Sequence, residues 1–295
     1  MSSASPITVN ESLCSGCGRC VSACGPHVLE LRDHKAAYVS TRELGCFACG
    51  HCMMSCPHDA IQVDGIKPEE LAPLQADAVD TDSLHAFLAA RRSVRKFKAQ
   101  PVERATLERI LELAATAPMG FPPHSVNVVV LNQPDELDHL GTVLRHDYGK
   151  MLDGYNSTVG RLVMRAMMSK ALWSVIGSHV VPVARDALAL WSEKKEDRFL
   201  HGAPALMLFH ADGFGASPDE DCHLVCAYAM LAAHSMGVGS TILGIVPPIV
   251  ERSKALRERY GIPARHRVAT SLILGYPKEH YRKTIRRPLQ SVRFV

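Results

Sequence analysis

No stretch of this 295-residue chain stays apolar for the ~18 residues that a membrane span requires, because glycine and proline interrupt the longest candidates. Charge of one sign is not in excess either. Lysine and arginine number 33 against 30 aspartates and glutamates, a net +3, and so small an imbalance points to no nucleic-acid and no membrane partner. The opening residues Met1-Ser-Ser-Ala-Ser lack a basic region and an apolar stretch, so a cytoplasmic location is expected. No Gly-x-Gly-x-x-Gly follows a predicted strand; that removes the usual dinucleotide fingerprint without excluding nicotinamide bound by other means. Internal repetition is absent too, apart from two runs of cysteine.

Those runs are Cys14-x2-Cys17-x2-Cys20-x3-Cys24 and Cys46-x2-Cys49-x2-Cys52-x3-Cys56, the second ending in Pro57. The spacing is that of two [4Fe-4S] clusters in which the fourth cysteine of each run crosses to the other cluster. Cys14, Cys17, Cys20 and Cys56 would then hold one cluster, and Cys46, Cys49, Cys52 and Cys24 the other. Zinc competes for four thiolates, but its sites are usually built from separated two-cysteine knuckles. A disulfide framework needs an oxidising compartment, which the expected location does not provide. Over residues 7–64 the segment resembles the bacterial two-cluster ferredoxins, with Ile7-Thr-Val9 and Ile61-Gln-Val63 as β-prone ends. One departure is Gly25, inserted between Cys24 and Pro26, which alters the turn beside one cluster without removing a ligand. Clusters of this type accept and pass on single electrons, so a redox function is expected.

Three regions follow: a ferredoxin-like domain over 1–65, a linker over 66–79 rich in proline and acid, and a larger domain over 80–295. In the last, helical periodicity marks 82–92, 102–116 and 134–147, and a methionine-rich stretch over 155–198 holds several more helices. Ser217-Pro-Asp-Glu220 reads as a capping box opening a helix that stops at Gly237, and another helix covers 248–260. Apolar runs at 126–131, 204–210, 239–246 and 267–274 read as buried strands. The expected class is α+β, a mixed sheet covered by helices and preceded by the small iron–sulfur domain.

Arg91-Arg92-Ser93-Val94-Arg95-Lys96-Phe97 gathers guanidinium forks and a hydroxyl after the first of these helices. Such groups suit a phosphate, although a solvated basic turn looks the same in isolation. Further stretches come in order: Ala114-Ala-Thr-Ala-Pro118-Met119-Gly120, Ala203-Pro204-Ala-Leu-Met-Leu, Met236-Gly-Val-Gly-Ser-Thr-Ile-Leu-Gly244, and Gly275-Tyr-Pro with Arg286-Arg287-Pro288-Leu289. Taken in this order, residues 80–295 resemble the nitroreductase family of FMN enzymes. The resemblance implies that Arg91, Arg92, Ser93 and Arg95 hold the phosphate, ribityl and pyrimidine end of FMN. Arg286, or Arg287, would add a phosphate contact. Pro118, Met119 and Gly120 would line the flavin, and the backbone at Leu243 and Gly244 would approach its ring. It also implies a homodimer with the flavin at the interface. Family members often carry Asn-x-Gln-Pro-Trp after the Ala-Pro loop; here Pro122-Pro-His124-Ser125-Val126 stands in its place, and His124 is the histidine placed near the flavin.

The expected function is a flavin oxidoreductase whose two clusters relay electrons from an external low-potential donor, such as a ferredoxin, to FMN. FMN would reduce a small conjugated acceptor: a nitroaromatic, a quinone or an activated alkene. Two alternatives stand beside it. One is an electron-transfer module linking ferredoxin to a larger redox complex; the other is a dehydrogenase returning electrons to ferredoxin. No catalytic residue is assigned. Cys222 and Cys226, one helical turn apart, read as buried packing rather than a redox pair. Met164, Met167 and Met168 read as core or dimer packing or pocket lining, and Tyr148 and Tyr155 as either substrate cover or helix packing.

Overall fold

The computed structural model describes residues 5–39, 41, 43–74, 79–121, 125–286 and 288–295. The chain divides into two compact units, one of residues 1–80 with 121–123, the other of residues 81–120 with 124–295.

The smaller unit repeats itself, as its cysteine spacing does. Each run places a glycine after its second cysteine, Gly18 at φ 72° and Gly50 at φ 73°, and each glycine caps a short helix: α1 (Arg19–Ala23) and α2 (His51–Met54). A left-handed φ there turns the chain back toward its own thiols, a conformation that costs glycine little. Strands β1 (Ile7–Val9) and β4 (Ile61–Val63) pair antiparallel with Ile7 opposite Val63. Between them β2 (Leu29–Arg32) and β3 (Lys35–Tyr38) form a hairpin absent from the sequence reading. Its two-residue turn, Asp33-His34, has φ of 47° and 60°, both in the left-handed region that such tight hairpins demand.

The larger unit is built on a four-stranded antiparallel sheet: β5 (Asn127–Leu131), β6 (Ala205–Asp212), β7 (Gly239–Ile242) and β8 (His266–Gly275), in the order β5-β6-β8-β7. Helices α3 (Thr81–Ala90) and α4 (Arg104–Ala114) precede it, α5 (Pro134–Asn156), α6 (Thr158–Met167), α7 (Lys170–Val175) and α8 (Val181–Lys194) follow β5, and α9 (Pro218–Ser235), α10 (Pro247–Arg252) and α11 (Lys254–Arg259) lie between the later strands. The central strand β6 explains its own apolar run. Leu206 and Leu208 face one core with Leu140 and Leu144 of α5, while Ala205, Met207 and Phe209 face another with Ile110 of α4 and Val225 and Ala229 of α9. Period-2 alternation between two buried faces gives a continuously hydrophobic strand.

Four expectations change in detail. Helix α5 runs to Asn156 rather than 147, carried by the buried Tyr148 and Leu152. The 248–260 helix is two helices, interrupted at Ser253, whose Oγ accepts the Leu256 N–H and starts α11. Strand β7 stops at Ile242, because Leu243 folds into the core and Pro247 and Pro248 open α10. Ser217 makes no side-chain cap on α9; its backbone carbonyl accepts the Asp221 N–H instead. Among the described residues no helix is long and apolar enough to cross a membrane.

Candidate functional site

The eight cysteines of the runs surround two cavities, and the division between them is crossed. One cavity is lined by Cys14, Cys17, Cys20 and Cys56, walled by Leu31, Ala36, Ala60 and Ile61. The other is lined by Cys24, Cys46, Cys49 and Cys52, walled by Ile7, Val28, Phe47 and Val63. Electrostatics follows the same division. Burial raises the Cys20 thiol, and Cys56 and Cys14 add to the rise. Burial pushes the Cys52 thiol up to about 11, with Cys46, Cys24 and Cys49 contributing. Sulfurs crowded and buried in this way keep their protons unless a cationic metal centre displaces them. Backbone amides already point at the sulfurs: Val28 at Cys24 Sγ (3.4 Å), Ala48 at Cys46 Sγ (3.4 Å) and Ala60 at Cys56 Sγ (3.3 Å). Such donors tune cluster potential. Among the described residues no three His, Cys, Asp or Glu side chains close on a point as a single metal ion requires. Sulfurs spread round a shared space fit a cubane better than zinc. No side chain could be added at Gly16, where a Cβ would lie 2.2 Å from the His34 carbonyl oxygen; the hairpin turn packs directly on the first cysteine loop.

In the larger unit the arginine segment is clamped to the sheet. Val94 donates its N–H to the Ser240 carbonyl (3.0 Å), Lys98 to that of Tyr276 (2.9 Å), and Ser93 bridges Ser240 in parallel register. Gly239 and Gly275 make room: a Cβ would meet Val94 within 2.9 Å at the first and Phe97 at 2.7 Å at the second. Val94 is thereby buried, and alternation turns Ser93 and Arg95 the other way. They face a cavity of about 1210 Å³ that also takes in Arg91, Arg92 and Arg286, together with His85, Leu88, Tyr281 and Thr284. Five residues singled out in the sequence thus meet at one place. Arg92 Nη1 donates to the Ala89 and Arg91 carbonyls at the end of α3, while its Nη2 is buried with no hydrogen-bond partner in the chain. A buried guanidinium N–H without a partner is costly unless an anion supplies the acceptor.

The remaining expected residues lie elsewhere. Met119 packs on the core between α4 and α9, and the Gly120 N–H donates to Asp221 Oδ1 at 2.8 Å. Leu243 is buried, its N–H donates to the Ser271 carbonyl and its own carbonyl accepts the Ser271 hydroxyl, so its backbone is already paired within the chain; a Cβ at Gly244 would meet nothing within 4 Å. Pro118 is exposed. His124 and Arg287 lie outside the described residues. Sequence reasoning missed His85, although it sits on α3 one turn before Leu88, a spacing that could have found it. It also missed Asp221, a buried carboxylate in the first turn of α9, for which no local signal exists.

Cys222 and Cys226 are fully buried, and burial pushes both thiols up to about 12, which fits inert packing. The Tyr148 hydroxyl donates to the Ile245 carbonyl at 2.8 Å, a structural bond between α5 and the β7–α10 turn. Met164 is half-buried, while Met167 is exposed.

Comparison with known proteins matches residues 88–276 to the Nitroreductase family and residues 13–60 to the 4Fe-4S dicluster domain. A protein of Archaeoglobus fulgidus described as a putative NADH dehydrogenase/NAD(P)H nitroreductase is 45% identical over 193 residues, 65% of this chain and 84% of its own. An NADH dehydrogenase of Thermus thermophilus is 27% identical over 68% of this chain and 90% of its own. Among solved structures, a Bacteroides fragilis nitroreductase with bound FMN superposes with a TM-score of 0.55 at 19% identity, covering 73% of this chain and all of that one. That likeness is one of fold.

Proposed function

The chain belongs to the nitroreductase family, and on that footing we propose that it is an FMN oxidoreductase in which two [4Fe-4S] clusters feed electrons toward the reduction of a small conjugated organic acceptor, a nitroaromatic, a quinone or an activated alkene. The observation that carries the reading is the presence, in one chain, of two crossed thiol quartets and a cationic cavity with a buried, unsatisfied guanidinium N–H. When bound, FMN supplies the exchange between single-electron and two-electron chemistry, and the clusters supply single-electron transfer.

The chain's residues take the following parts. Cys14, Cys17, Cys20 and Cys56 hold one cluster, and Cys24, Cys46, Cys49 and Cys52 the other. Arg91, Arg92, Ser93, Arg95 and Arg286 neutralise the phosphate, with Arg92 Nη2 and the Ser93 hydroxyl as donors. His85 and Thr284, which line the same cavity, are further polar groups within it. Asp221 fixes Gly120, and with it the loop from Pro118, in one position. Gly244 leaves open the space that a flat ring needs on the backbone side. A homodimer is part of the reading. It is supported by α3, which buries none of its residues while exposing Leu84 and Leu88, and by exposed Tyr281, Ile285, Leu289 and Phe294 in the C-terminal segment. The partners are the acceptor and an external low-potential carrier.

Anaerobically isolated protein is expected to hold about eight irons and one FMN per chain. Adding a reduced ferredoxin should then drive acceptor reduction without NAD(P)H. Zinc in place of iron, or turnover that survives removal of all iron at full rate with ferredoxin as donor, would end the reading.

A further inference from the structure

Arg145 is a long cation held almost out of water in the middle of α5, and its neighbours do not account for its charge. Its side chain is only 12% exposed. It folds back one turn along the helix, the direction in which helical side chains lean, onto the buried Gly141. A Cβ at Gly141 would lie 3.0 Å from Arg145 Nη1, so the guanidinium takes the room that a side chain would fill. Glycine inside a helix of 23 residues weakens it relative to alanine, and here the position is given up to the guanidinium. The same group lies over Trp191 of α8, 3.8 Å from the ring centroid. Stacking of this kind uses the flat face of a guanidinium and leaves its in-plane N–H groups in need of acceptors. Among the described residues one acceptor is found, Thr142 Oγ1, 2.9 Å from Nη2. The accompanying ion pair is loose: Asp138 Oδ1 stands 3.7 Å away on a side chain that is 76% exposed.

Arg145 borders a cavity of about 450 Å³ that shares no lining residue with the arginine cavity. Leu137, Trp191, Leu200 and Pro204 give it apolar walls, and Lys98 adds an exposed ammonium. Asp197 lines it too, but its oxygens already accept the N–H groups of Phe199, Leu200 and Gly202 and so hold the wall loop in place. We propose that this cavity binds a small carboxylate with a compact apolar body, its carboxylate on Arg145 and Lys98 and its body against the apolar walls. The guanidinium fork matches the two oxygens of a carboxylate, and a mostly apolar cavity of this size with a few convergent polar groups suits one small molecule. A bare inorganic anion would leave the walls unfilled. A neutral ring would leave the guanidinium without its acceptor. Asp138 is the ligand's competitor for Arg145, and its exposure makes it a weak one. Neither cofactor takes part in this site, so it stands apart from the redox reading above.

The test titrates the full chain, loaded with iron and FMN, by calorimetry at low ionic strength with benzoate, benzamide and inorganic phosphate. Benzoate should bind once per chain, and the other two at least about tenfold more weakly. Arg145→Gln should lower benzoate affinity about tenfold, and Arg145→Lys, which keeps the charge without the fork, about threefold. Asp138→Asn removes the competing carboxylate and should raise affinity about threefold. Gly141→Ala pushes the guanidinium from its seat and should lower affinity about fivefold. Alanine favours the helix, so the melting transition of that variant should not fall, and it carries the test if Arg145→Gln does not fold. Flavin absorbance should stay unchanged as benzoate binds, whereas benzoate lying against the flavin would shift it. Binding that shifts the flavin band and ignores both Arg145 and Gly141 would overturn the site, as would no binding at all. Benzamide or phosphate binding as tightly as benzoate would overturn the ligand class.

Discussion

Among the described residues of the cysteine unit, three of the ten that form the buried core are thiols of the runs, and no strand or helix exceeds five residues. In the larger unit two separate cores sandwich an antiparallel sheet, and the arginine cavity opens at its margin, built from residues the cores do not use. The first unit therefore cannot be separated from its metal, because cluster ligation completes its interior. The second holds its shape on apolar burial, and the residues lining its arginine cavity lie outside both cores. A redox group can be part of a core or a guest beside one, and this chain does both.

The sharpest way to break that contrast is Cys56→Ser. Iron should fall from about eight to about four per chain. Amide protection should collapse through residues 5–74 while the sheet of the larger unit keeps its own. Protection lost equally in both units would show that the two are one cooperative structure. Acid probes the larger unit through one buried imidazole. Burial, aided by His266 and Arg257, lowers the buried His210 from 6.5 to about 4. The unfolded chain therefore takes up a proton near pH 6.5 that the folded chain refuses. Stability is full above that value and drains as pH falls toward 4, by roughly 3 kcal/mol in total. His210→Gln should flatten this slope in denaturant titrations between pH 7 and 4; an unchanged slope would place the acid sensitivity elsewhere.

Arg92→Ala should weaken FMN retention by about 2 kcal/mol, some thirtyfold, with iron content intact, as read by flavin fluorescence on dilution. Loss of iron alongside flavin would deny the guest-like character of the site. The smallest effect is expected at Asp221→Asn, which keeps an acceptor for the Gly120 N–H but removes its charge: about 1 kcal/mol of flavin affinity, with the melting transition nearly unmoved. Asp221→Ala should lose more in both.

How much of this could be read from residue order follows from how local each interaction is. The crossed thiol quartets were legible because ligand spacing is a local property of the chain, and so was β6 as a buried strand; that its two faces serve separate cores was not. The arginine segment announced its chemistry but not its anchoring: Gly239, Gly275 and Phe97 are brought together only by the sheet. The β2–β3 hairpin hid because Asp33-His34 is not a glycine turn. The break at Ser253 hid because an apolar-periodic stretch gives no sign of where two short helices part.

Cofactor class was thus decided by chain order alone, since the types and intervals of cysteine suffice to say what eight sulfurs can bind. Which cavity each sulfur faces, which of them reaches solvent, and which guanidinium N–H is left buried without an acceptor were decided by folding. Exposure and satisfaction depend on contacts between residues as far apart as Gly120 and Asp221, and no periodicity in the chain encodes those.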